Sequence, residues 1–537
     1  MSQSPDVLDM LRRIVAAPVH EVARETPLDR AHLLSEQLGR TVWLKREDLQ
    51  PVFSFKLRGA YARMVRLDAG ERKRGVVAAS AGNHAQGVAL AASRLGIRAR
   101  VVMPLTTPAI KVDAVRRLGG EVILHGDSFD AAQARAVALC DENDAVFIHP
   151  FDDPDVISGQ GTVATELLRQ CEQSPDAVFV PVGGGGLLAG VAAAVKALSP
   201  ATRVIGVEPE GAASFAAALK AGKPVDIGPV NLFADGVAVR KVGEWPFRIA
   251  RDLVDEIITV SIDEICAAVH DVFLDTRTVS EPAGALAVAG LKRYVASGQP
   301  GQCLVAINSG ANISFERMAH VVERAEIGAG REILFAATIP ERPGAFLEFC
   351  RALGRPEVSE FNYRFGSVEQ AHVFVGLRMS GGRAAREALY ERLRQAGFEV
   401  LDLTENAVAR DHLRHMVGGR CASPERELLY RFQFPERPGA LEQFLTGLAG
   451  RWSISLFHYR NHGAAYGRVM AGFLVPQADQ LRFEGFLQRT GYPWQPIDDE
   501  ACSRFVGGPG HDPANVDPGD DFAIDFCRRS GMVSGIS

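Results

Sequence analysis

The stretch VVAASAGNH, residues 76–84, leads from an apolar run through a polar turn with a glycine into an alanine-rich segment. The same alternation of apolar runs and helical segments continues to about residue 307. Strands that alternate with helices of this length indicate crossover connections in parallel sheets with both faces covered. The sequence therefore predicts an α/β fold in which two parallel-sheet lobes face each other. The predicted strands are 76–79, 99–103, 121–124, 145–148, 177–180, 203–207, 257–260 and 303–307, and the helices of the first series are 84–95, 109–118 and 129–142.

The segment before the first lobe has the apolar periodicity of an amphipathic helix over residues 7–24. Leu8, Leu11, Ile14 and Val15 recur at helical spacing, so we expect them to form its buried face. A short strand, residues 41–45, should follow.

The C-terminal third of the chain contains an internal repeat. The motif PERPGA at 340–345 recurs 95 residues later at 435–440, and NYR at 362–364 pairs with HYR at 458–460 at nearly the same offset. Each copy has the order strand, helix, strand, strand, helix, strand, which is typical of a ferredoxin-like α+β unit. We expect an α/β domain at 1–326 with a small lobe (about 47–150) inserted in the large lobe, the two repeats at 332–406 and 427–500, and a disordered tail rich in Gly, Pro and Asp at 503–537.

Composition and charge favour a protein that acts on small molecules. The 537 residues carry a net charge of -6, and Lys and Arg are interspersed with Asp and Glu, so no nucleic-acid footprint is present. The start has no signal-peptide pattern, and no uncharged run approaches membrane-spanning length. The eight cysteines contain no C-x-x-C pair, which indicates neither a disulfide framework nor a zinc site. We therefore expect a cytoplasmic protein with no nucleic-acid or membrane partner.

Lys56 lies in the largely apolar stretch SFKLRGA, residues 54–60, at the start of a predicted helix. An apolar site removes water from the ammonium group and lowers the pKa of the amine. A neutral amine is what the formation of a Schiff base requires. A lysine that extends from a surface helix is the alternative that this stretch alone leaves open.

Three further turns carry glycine or polar residues where predicted strands end. In GGGGL, residues 183–187, backbone amides and the dipole of the following helix would bind a phosphate. The loop has neither the Lys-Ser/Thr of a nucleotide P-loop nor the G-x-G-x-x-G spacing. Ser80–His84 suits a carboxylate at a helix start, and Ser309 in NSGAN, residues 308–312, is placed to reach a ring nitrogen. Each motif alone has an ordinary alternative. The glycine run could be a tight structural turn, Ser80–His84 could be simple N-cap residues, and Ser309 could be an ordinary turn serine.

Together these motifs resemble those of the fold-type II pyridoxal-phosphate enzymes. Within that family the chain is most similar to the biosynthetic threonine dehydratases, over about residues 7–500. Further stretches that resemble this family are LKRED at 44–48, FADGVAV at 233–239 and EPAGA at 281–285. The C-terminal repeats resemble the tandem ACT-like regulatory domains of these enzymes. The resemblance implies a tryptophan synthase β-like catalytic domain, pyridoxal 5'-phosphate as the cofactor and a homotetramer. It also implies conversion of L-threonine to 2-oxobutanoate and ammonia, the first committed step toward isoleucine.

The resemblance further implies roles for individual residues. Lys56 would carry the Schiff base and then remove the Cα proton of threonine, while the cofactor phosphate would protonate the leaving hydroxide. Ser309 would lie at the pyridine nitrogen, where a neutral hydroxyl does not enforce protonation of the ring, which suits elimination. The residues implied to hold the cofactor are Lys56, Phe55 beside the ring, Asn83 at the ring hydroxyl, Gly183, Gly184, Gly185, Gly186 and Leu187 at the phosphate, and Ser309; those for the substrate carboxylate are Ser80, Ala81, Gly82, Asn83 and His84.

For regulation, the turns of the two repeats would present amides to the carboxylate of an effector. We expect inhibition by isoleucine, with valine opposing it. The regulatory candidates are Glu341, Arg342, Pro343 and Gly344 in the first repeat and Glu436, Arg437, Pro438 and Gly439 in the second. A plain loop in a dimerisation module is the alternative for either copy.

The metal prediction depends on a departure from a related branch of the family. The resemblance to serine racemases implies a divalent cation beside a motif like Val207-Glu208-Pro209, with an acidic residue several positions on. Ser214 and neighbouring alanines occupy that region here, so we expect no structural metal, and a monovalent ion is the alternative that stays open. Two alternative functions stay open. One is a β-eliminating or β-replacing enzyme for serine or phosphothreonine, and the other is an amino-acid sensor with a degenerate catalytic lobe.

Overall fold

The computed structural model describes residues 5–340, 342, 344–354, 356–364, 370–379, 382–406, 427–435, 440–448, 451–460 and 466–497. The chain divides into two compact units, with the boundary between Ala329 and Gly330. The first unit contains two sheets that are parallel apart from one edge strand, and the second unit contains one antiparallel sheet, so the predicted fold class is confirmed. The tail predicted to be disordered, 503–537, lies outside the described residues. No described helix combines the length and the apolar character that a membrane crossing needs.

The first helix is shorter than the sequence predicts. It covers Pro5–Val15 and is followed by a 3-10 turn at Val19–Glu21 instead of continuing to residue 24. Pro18 accounts for the difference, because proline has no N–H to donate and disfavours helical geometry in the residue before it. The elements up to the small lobe are α1 Pro5–Val15, β1 Leu28–Arg30, α2 His32–Leu38 and β2 Thr41–Arg46.

The buried face of α1 also differs from the predicted one. Val7, Met10 and Ile14 are buried, whereas Leu8 and Val15 are 42% and 73% exposed. Apolar residues occur in adjacent pairs along this helix, such as Val7 with Leu8 and Ile14 with Val15. The apolar periodicity is therefore compatible with either of two helix faces as the buried one. Packing against the large lobe selects one of them, and the sequence pattern cannot make that choice.

The small lobe is a parallel four-stranded sheet in the order β5-β4-β3-β6, with its own apolar core. The predicted strand at 145–148 is reduced to two residues, because it is an edge strand that pairs with only half of β3. The elements are α3 Lys56–Met64, α4 Ala69–Arg74, β3 Val76–Ala79, α5 Asn83–Leu95, β4 Ala99–Met103, α6 Ala109–Arg117, β5 Glu121–Leu124, α7 Phe129–Asn143 and β6 Val146–Phe147.

The large lobe is a six-stranded sheet in the order β1-β2-β10-β7-β8-β9, parallel except for β1. Its last strand in sequence, β10, lies between β2 and β7, which brings the NSGAN loop beside the segment that contains Lys56. The elements are α8 Pro154–Gln170, β7 Ala177–Pro181, α9 Gly186–Leu198, β8 Arg203–Pro209, α10 Ser214–Ala221, α11 Glu244–Ala250, β9 Glu256–Val260, α12 Ile262–Thr276, α13 Pro282–Ala296, β10 Cys303–Asn308 and α14 Phe315–Gly328.

A buried network of four charges anchors α3. Arg58 donates from Nε and Nη2 to Glu47, both at 2.8 Å, and from Nη1 and Nη2 to Glu166 at 2.5 and 2.9 Å. Lys45 donates to Glu166 at 2.8 Å, so two cations balance two carboxylates. All four side chains are almost completely buried. Because an unpaired charge is costly away from water, their burial requires that the positive and negative charges balance. The network fixes the helix whose first residue is Lys56.

The second unit is one antiparallel sheet of eight strands in the order β14-β11-β13-β12-β16-β17-β15-β18. Each half has the strand and helix order predicted for a ferredoxin-like repeat, and the halves join where β12 pairs with β16, with Asn362 opposite His458. The elements are β11 Glu332–Pro340, α15 Ala345–Leu353, β12 Glu357–Arg364, β13 Gln370–Arg378, α16 Gly382–Gln395, β14 Glu399–Asp402, β15 Glu427–Pro435, α17 Ala440–Leu448, β16 Ser453–Arg460, β17 Tyr466–Leu474, α18 Gln480–Arg489 and β18 Trp494–Pro496.

The repeat extends to buried polar contacts. In the first half, the Ser359 hydroxyl donates to the Glu332 carboxylate, and in the second half Ser455 donates to Glu427 at 2.5 Å. Both β12 and β16 contain a register shift next to this serine. The two halves are therefore copies in structural detail as well as in strand order.

Candidate active site

One pocket of the first unit lies where the carboxyl ends of the parallel strands meet. Its walls are the start of α3 and the loops that follow β3, β7 and β10, and it contains about 430 Å³ of empty space partly open to solvent. Ligands of open parallel sheets bind outside the carboxyl ends of the strands. The position of this pocket is that of a small-molecule site.

Lys56 is the first residue of α3 and lines this pocket. Its Nζ atom donates to the carbonyl oxygen of Pro150 at 3.1 Å and lies 5.3 Å from the centre of the Phe55 ring. Burial lowers the pKa of Lys56 to about 8, although the nearby charge of Glu281 acts in the opposite direction. A substantial share of Lys56 is therefore neutral at slightly alkaline pH, as a nucleophilic or basic amine must be.

The glycine loop Gly183–Leu187 connects β7 to α9 and lines the same pocket. Gly185 has a φ of 91°, a left-handed conformation that glycine adopts without steric cost. A side chain at Gly184 would overlap the ring of Phe151. Because Gly185 provides no side-chain cap for α9, the N–H groups of the first helical turn form an end of the pocket that attracts anions.

The side-chain amide of Asn83, at the start of α5, is held at both ends. Its Nδ2 atom donates to Oε1 of Glu281 at 2.6 Å, and its Oδ1 atom accepts from Nδ2 of Asn312 at 2.6 Å. Burial raises the pKa of Glu281 to about 7; the charge of Asp235 adds to this effect, and the bond from Asn83 opposes it. Asn83 and Glu281 both line the pocket.

Ser309 follows β10 and is connected to the Lys56 segment through the main chain. Its carbonyl oxygen accepts from the N–H of Phe55 at 3.3 Å, and Ser54 and Gly310 form an antiparallel bridge. The Ser309 hydroxyl donates to the carbonyl oxygen of Ala283 at 3.3 Å. The structure thus brings Lys56, Phe55, Asn83, the glycine loop and Ser309 together in one pocket.

The turn Ser80–Gly82 precedes α5 and is half-buried, with the Ser80 hydroxyl accepting from the N–H of Gly82 at 3.3 Å. The ring of His84 is buried, and its Nε2 donates to the carbonyl oxygen of Ile148 at 2.8 Å. Burial, together with the charge of Lys56, lowers the pKa of His84 to about 3. The ring of His84 is therefore neutral, and its donor group is already used by the main chain.

Glu281 and Gly236 line the pocket but are absent from the predicted site residues. Glu281 stands before Pro282 at the start of α13, and an acidic residue in that position has an ordinary explanation as a helix cap. The structure shows no such cap bond, since the carboxylate accepts from Asn83 instead. The sequence signal that could have found Glu281 is the EPAGA stretch, which resembles the corresponding stretch of the family.

The carboxylate of Glu208, at the end of β8, accepts N–H groups from Phe215 at 2.7 Å and Ala216 at 2.9 Å at the start of α10. Burial raises the pKa of Glu208 to about 7. In the described part of the chain, no group of three or more His, Cys, Asp or Glu side chains has the arrangement of a metal site.

A second pocket lies within the second unit, between its two repeats, with about 470 Å³ of empty space. Gly344, with a φ of 92°, directly precedes α15 there and provides no side-chain cap. Arg342 also lines it, but its guanidinium donates to Glu348 at 2.9 and 2.5 Å. The apolar walls are Ile339, Phe346, Leu347, Leu445, Leu448, Trp452 and Ile454. Of the predicted regulatory residues, Glu341, Pro343, Glu436, Arg437, Pro438 and Gly439 lie outside the described residues.

The donor groups of the first pocket fit pyridoxal 5'-phosphate. The first turn of α9 suits a phosphate, a partly neutral lysine suits an aldehyde, and hydroxyl and amide side chains suit the ring substituents. Glu281 is the one carboxylate among the described residues that line the pocket, so an anionic ligand meets little repulsion at the glycine end.

The family comparisons agree with this fit. Residues 19–310 match the family described as "Pyridoxal-phosphate dependent enzyme", and residues 323–413 and 418–506 each match "C-terminal regulatory domain of Threonine dehydratase". The chain is 50% identical over 506 residues to the L-threonine dehydratase biosynthetic IlvA of Pasteurella multocida, covering 94% of this chain and 98% of that protein. It is 47% identical to the biosynthetic, chloroplastic threonine dehydratase of Arabidopsis thaliana, covering 93% and 84%.

Solved structures of related enzymes superpose on about three fifths of the chain. The processed form of threonine deaminase isoform 2 from Solanum lycopersicum superposes with a TM-score of 0.59 at 50% identity, covering 60% of this chain and 94% of that one. Maize serine racemase superposes with a TM-score of 0.55 at 33% identity, covering 58% and 96%.

Proposed function

The chain belongs to the biosynthetic threonine dehydratases, which are pyridoxal-phosphate-dependent lyases, and from this premise we propose its substrate, residue roles and regulation. L-Threonine is dehydrated and deaminated to 2-oxobutanoate and ammonia, as the first committed step of isoleucine formation in the cytoplasm. The observation that supports this most is the partly neutral Lys56 in a pocket that also contains the glycine loop, Asn83 and Ser309.

In this proposal each residue holds one part of the cofactor. The amides of Gly183–Leu187 hold the phosphate, Asn83 donates to the ring hydroxyl, Phe55 packs beside the ring and Ser309 meets the ring nitrogen. When bound, pyridoxal 5'-phosphate supplies an aldehyde for attachment of the substrate amine and a conjugated ring that withdraws electrons from Cα.

Lys56 has two roles in the reaction. It is the attachment point in the resting enzyme, and its freed amine then removes the Cα proton of threonine. A pKa of about 8 suits this role, because proton transfer is most effective when the pKa of the base lies near the working pH. The substrate carboxylate is held by the turn Ser80–Gly82 and by the first backbone N–H groups of α5, including that of His84, where the helix dipole favours a negative charge.

The second unit carries the regulatory part of the proposal. Residues 332–406 and 427–500 act as two regulatory repeats, and isoleucine inhibits the enzyme by binding the pocket between them, while valine opposes it. The uncapped start of α15 at Gly344 suits an amino-acid carboxylate, and the apolar walls suit a branched aliphatic side chain. The assembly we propose is a homotetramer.

The test of catalysis is purified protein with threonine, with 2-oxo acid and ammonia measured in parallel. The proposal requires equal amounts of both products, a dependence on added cofactor after dialysis, and a preference for threonine over serine and phosphothreonine. A faster reaction with phosphothreonine or serine would favour the related eliminating enzymes, and binding of amino acids without turnover would favour the sensor.

The test of regulation uses the same assay with isoleucine and two matched variants. Leu347→Asp places a carboxylate in the wall of the second pocket, so the isoleucine concentration for half inhibition should rise at least about tenfold, which corresponds to ~1.4 kcal/mol. Leu481→Asp changes a side chain that is 83% exposed and outside this pocket, and inhibition should stay as in the wild type. Equal inhibition of both variants would place the effector elsewhere.

A further inference from the structure

The amide of Asn83 is held by two side chains from the other lobe. Asn83 begins α5 of the small lobe, whereas Glu281 and Asn312 belong to the large lobe, before α13 and after β10. Asn312 donates from Nδ2 to both Asn83 Oδ1 at 2.6 Å and the carbonyl oxygen of Val52 at 2.8 Å. On the other side, Asn83 donates to the buried Glu281 at 2.6 Å.

These partners determine which way the Asn83 amide faces. If the amide turned over, its NH2 group would meet the NH2 group of Asn312, and its oxygen would meet the carboxylate of Glu281. With Glu281 ionised, both contacts would pair like with like, two donors on one side and two acceptors on the other, and the clash of donors with Asn312 does not depend on the protonation of Glu281. The NH2 group of Asn312 cannot rotate to relieve this, because its bond to Val52 fixes it as a donor.

The same region contains another contact between the lobes. Lys111 of α6 donates to Asp235 at 2.7 Å, and the neighbouring Gly236 lines the cofactor pocket. The lobes therefore meet at a second place beside the pocket, in addition to the contacts of Asn83.

We propose that Glu281 and Asn312 are positioning residues that fix the Asn83 amide with its NH2 group available to the cofactor hydroxyl. The inference rests on the role proposed above for Asn83. Because both partners come from the opposite lobe, the contact between the lobes orients the amide that meets the cofactor hydroxyl.

The test compares cofactor affinity and the visible absorbance of the bound cofactor in wild-type, N312D and N312A chains. N312D replaces a donor by acceptors that face Asn83 Oδ1 and the Val52 carbonyl. Its dissociation constant for pyridoxal 5'-phosphate should rise about tenfold or more, as expected for one lost hydrogen bond and an added repulsion. N312A removes the donor without repulsion and should show a smaller rise. The absorbance band and its pH titration should change in both variants, because the hydrogen bond to the ring hydroxyl affects both.

Asn143→Asp is the matched control. Asn143 donates from Nδ2 to the carbonyl oxygen of Leu139 at 2.8 Å in the small lobe, outside the residues that line the pocket. The control loses one side-chain hydrogen bond to a main-chain carbonyl, as N312D does at Val52, and should keep wild-type cofactor affinity and spectrum. Glu281→Gln retains an acceptor for Asn83 and should keep most of the affinity, whereas Glu281→Leu should not.

Hydrogen exchange of the cofactor-free chains provides a readout that needs no bound ligand. Peptides that cover Asn83 should exchange faster in N312D than in the wild type and unchanged in N143D. Wild-type affinity, spectrum and exchange in both N312D and N312A would overturn the inference. Failure of the wild-type chain itself to bind pyridoxal 5'-phosphate would instead overturn the proposed function, so the two failures are distinguishable.

Discussion

Replacement of Glu166 by Gln should destabilise the first unit far more than a typical carboxylate substitution. Glu166 is 2% exposed and accepts hydrogen bonds from Arg58 at 2.5 and 2.9 Å and from Lys45 at 2.8 Å. Glutamine keeps the size but removes the charge and places an NH2 group among these donors. Arg58 and Lys45 would then share the single remaining carboxylate, Glu47, in a site closed to water.

The expected magnitude follows from the cost of an uncompensated buried charge. Breaking a buried ion pair by removing one partner costs about 3–5 kcal/mol. The matched control is Glu121→Gln, because Glu121 is 45% exposed and pairs with an exposed Arg98 at 2.7 Å. An exposed pair of this kind contributes about 0–1 kcal/mol.

The assay is urea unfolding followed by hydrogen exchange in peptides of β2 and α8, because a whole-chain signal would mix the two units. With a denaturant slope of ~3 kcal/mol/M, Glu166→Gln should lower the unfolding midpoint by about 1 M or more, and Glu121→Gln by about 0.3 M or less. Midpoints that coincide for the two variants would refute the reasoning. The network would then contribute no more than a surface ion pair.

Two further predictions concern the pocket itself. In the cofactor-free chain, labelling of Lys56 by an amine-selective reagent should rise with pH through an inflection at about 8, and Glu281→Gln should move this inflection lower, because it removes a negative charge that raises the pKa of Lys56. An unchanged or higher inflection would contradict the assigned influence of Glu281. Gly184→Ala should lower cofactor retention after dialysis by roughly tenfold, because its methyl group overlaps the aromatic ring beside the loop, an overpacking cost of about 1–3 kcal/mol. Gly70→Ala, at the exposed start of α4, should retain cofactor as the wild type does.

Much of the fold was predictable because its signals are local. The strand, turn and helix around β3 and α5 follow from an apolar run, a glycine turn and an alanine-rich segment within a few residues of each other. The two repeats were predictable because an identical motif recurs at a fixed offset. The predicted buried face of α1 was wrong, because the face that becomes buried depends on packing partners distant in sequence.

The parts that escaped prediction are contacts between residues far apart in sequence. Glu166 stands more than a hundred residues after Arg58, and no local pattern distinguishes a buried carboxylate on α8 from an exposed one. Glu281 lies 198 residues from Asn83, and no local pattern connects the two residues. The sequence shows that the two repeats are similar but does not show which of their strands pair. The pairing of β12 with β16 therefore could not be predicted.

The central claim is that Lys56 is the residue to which the cofactor attaches. The most direct measurement is reduction of the cofactor-loaded chain with borohydride, followed by digestion and mass spectrometry of the lysine-containing peptides. Our account predicts the mass of a reduced pyridoxyl phosphate on Lys56 and on no other lysine, with the buried and ion-paired Lys45 unmodified. The same mass on a different lysine, or a loaded chain with no modified lysine after reduction, would contradict it.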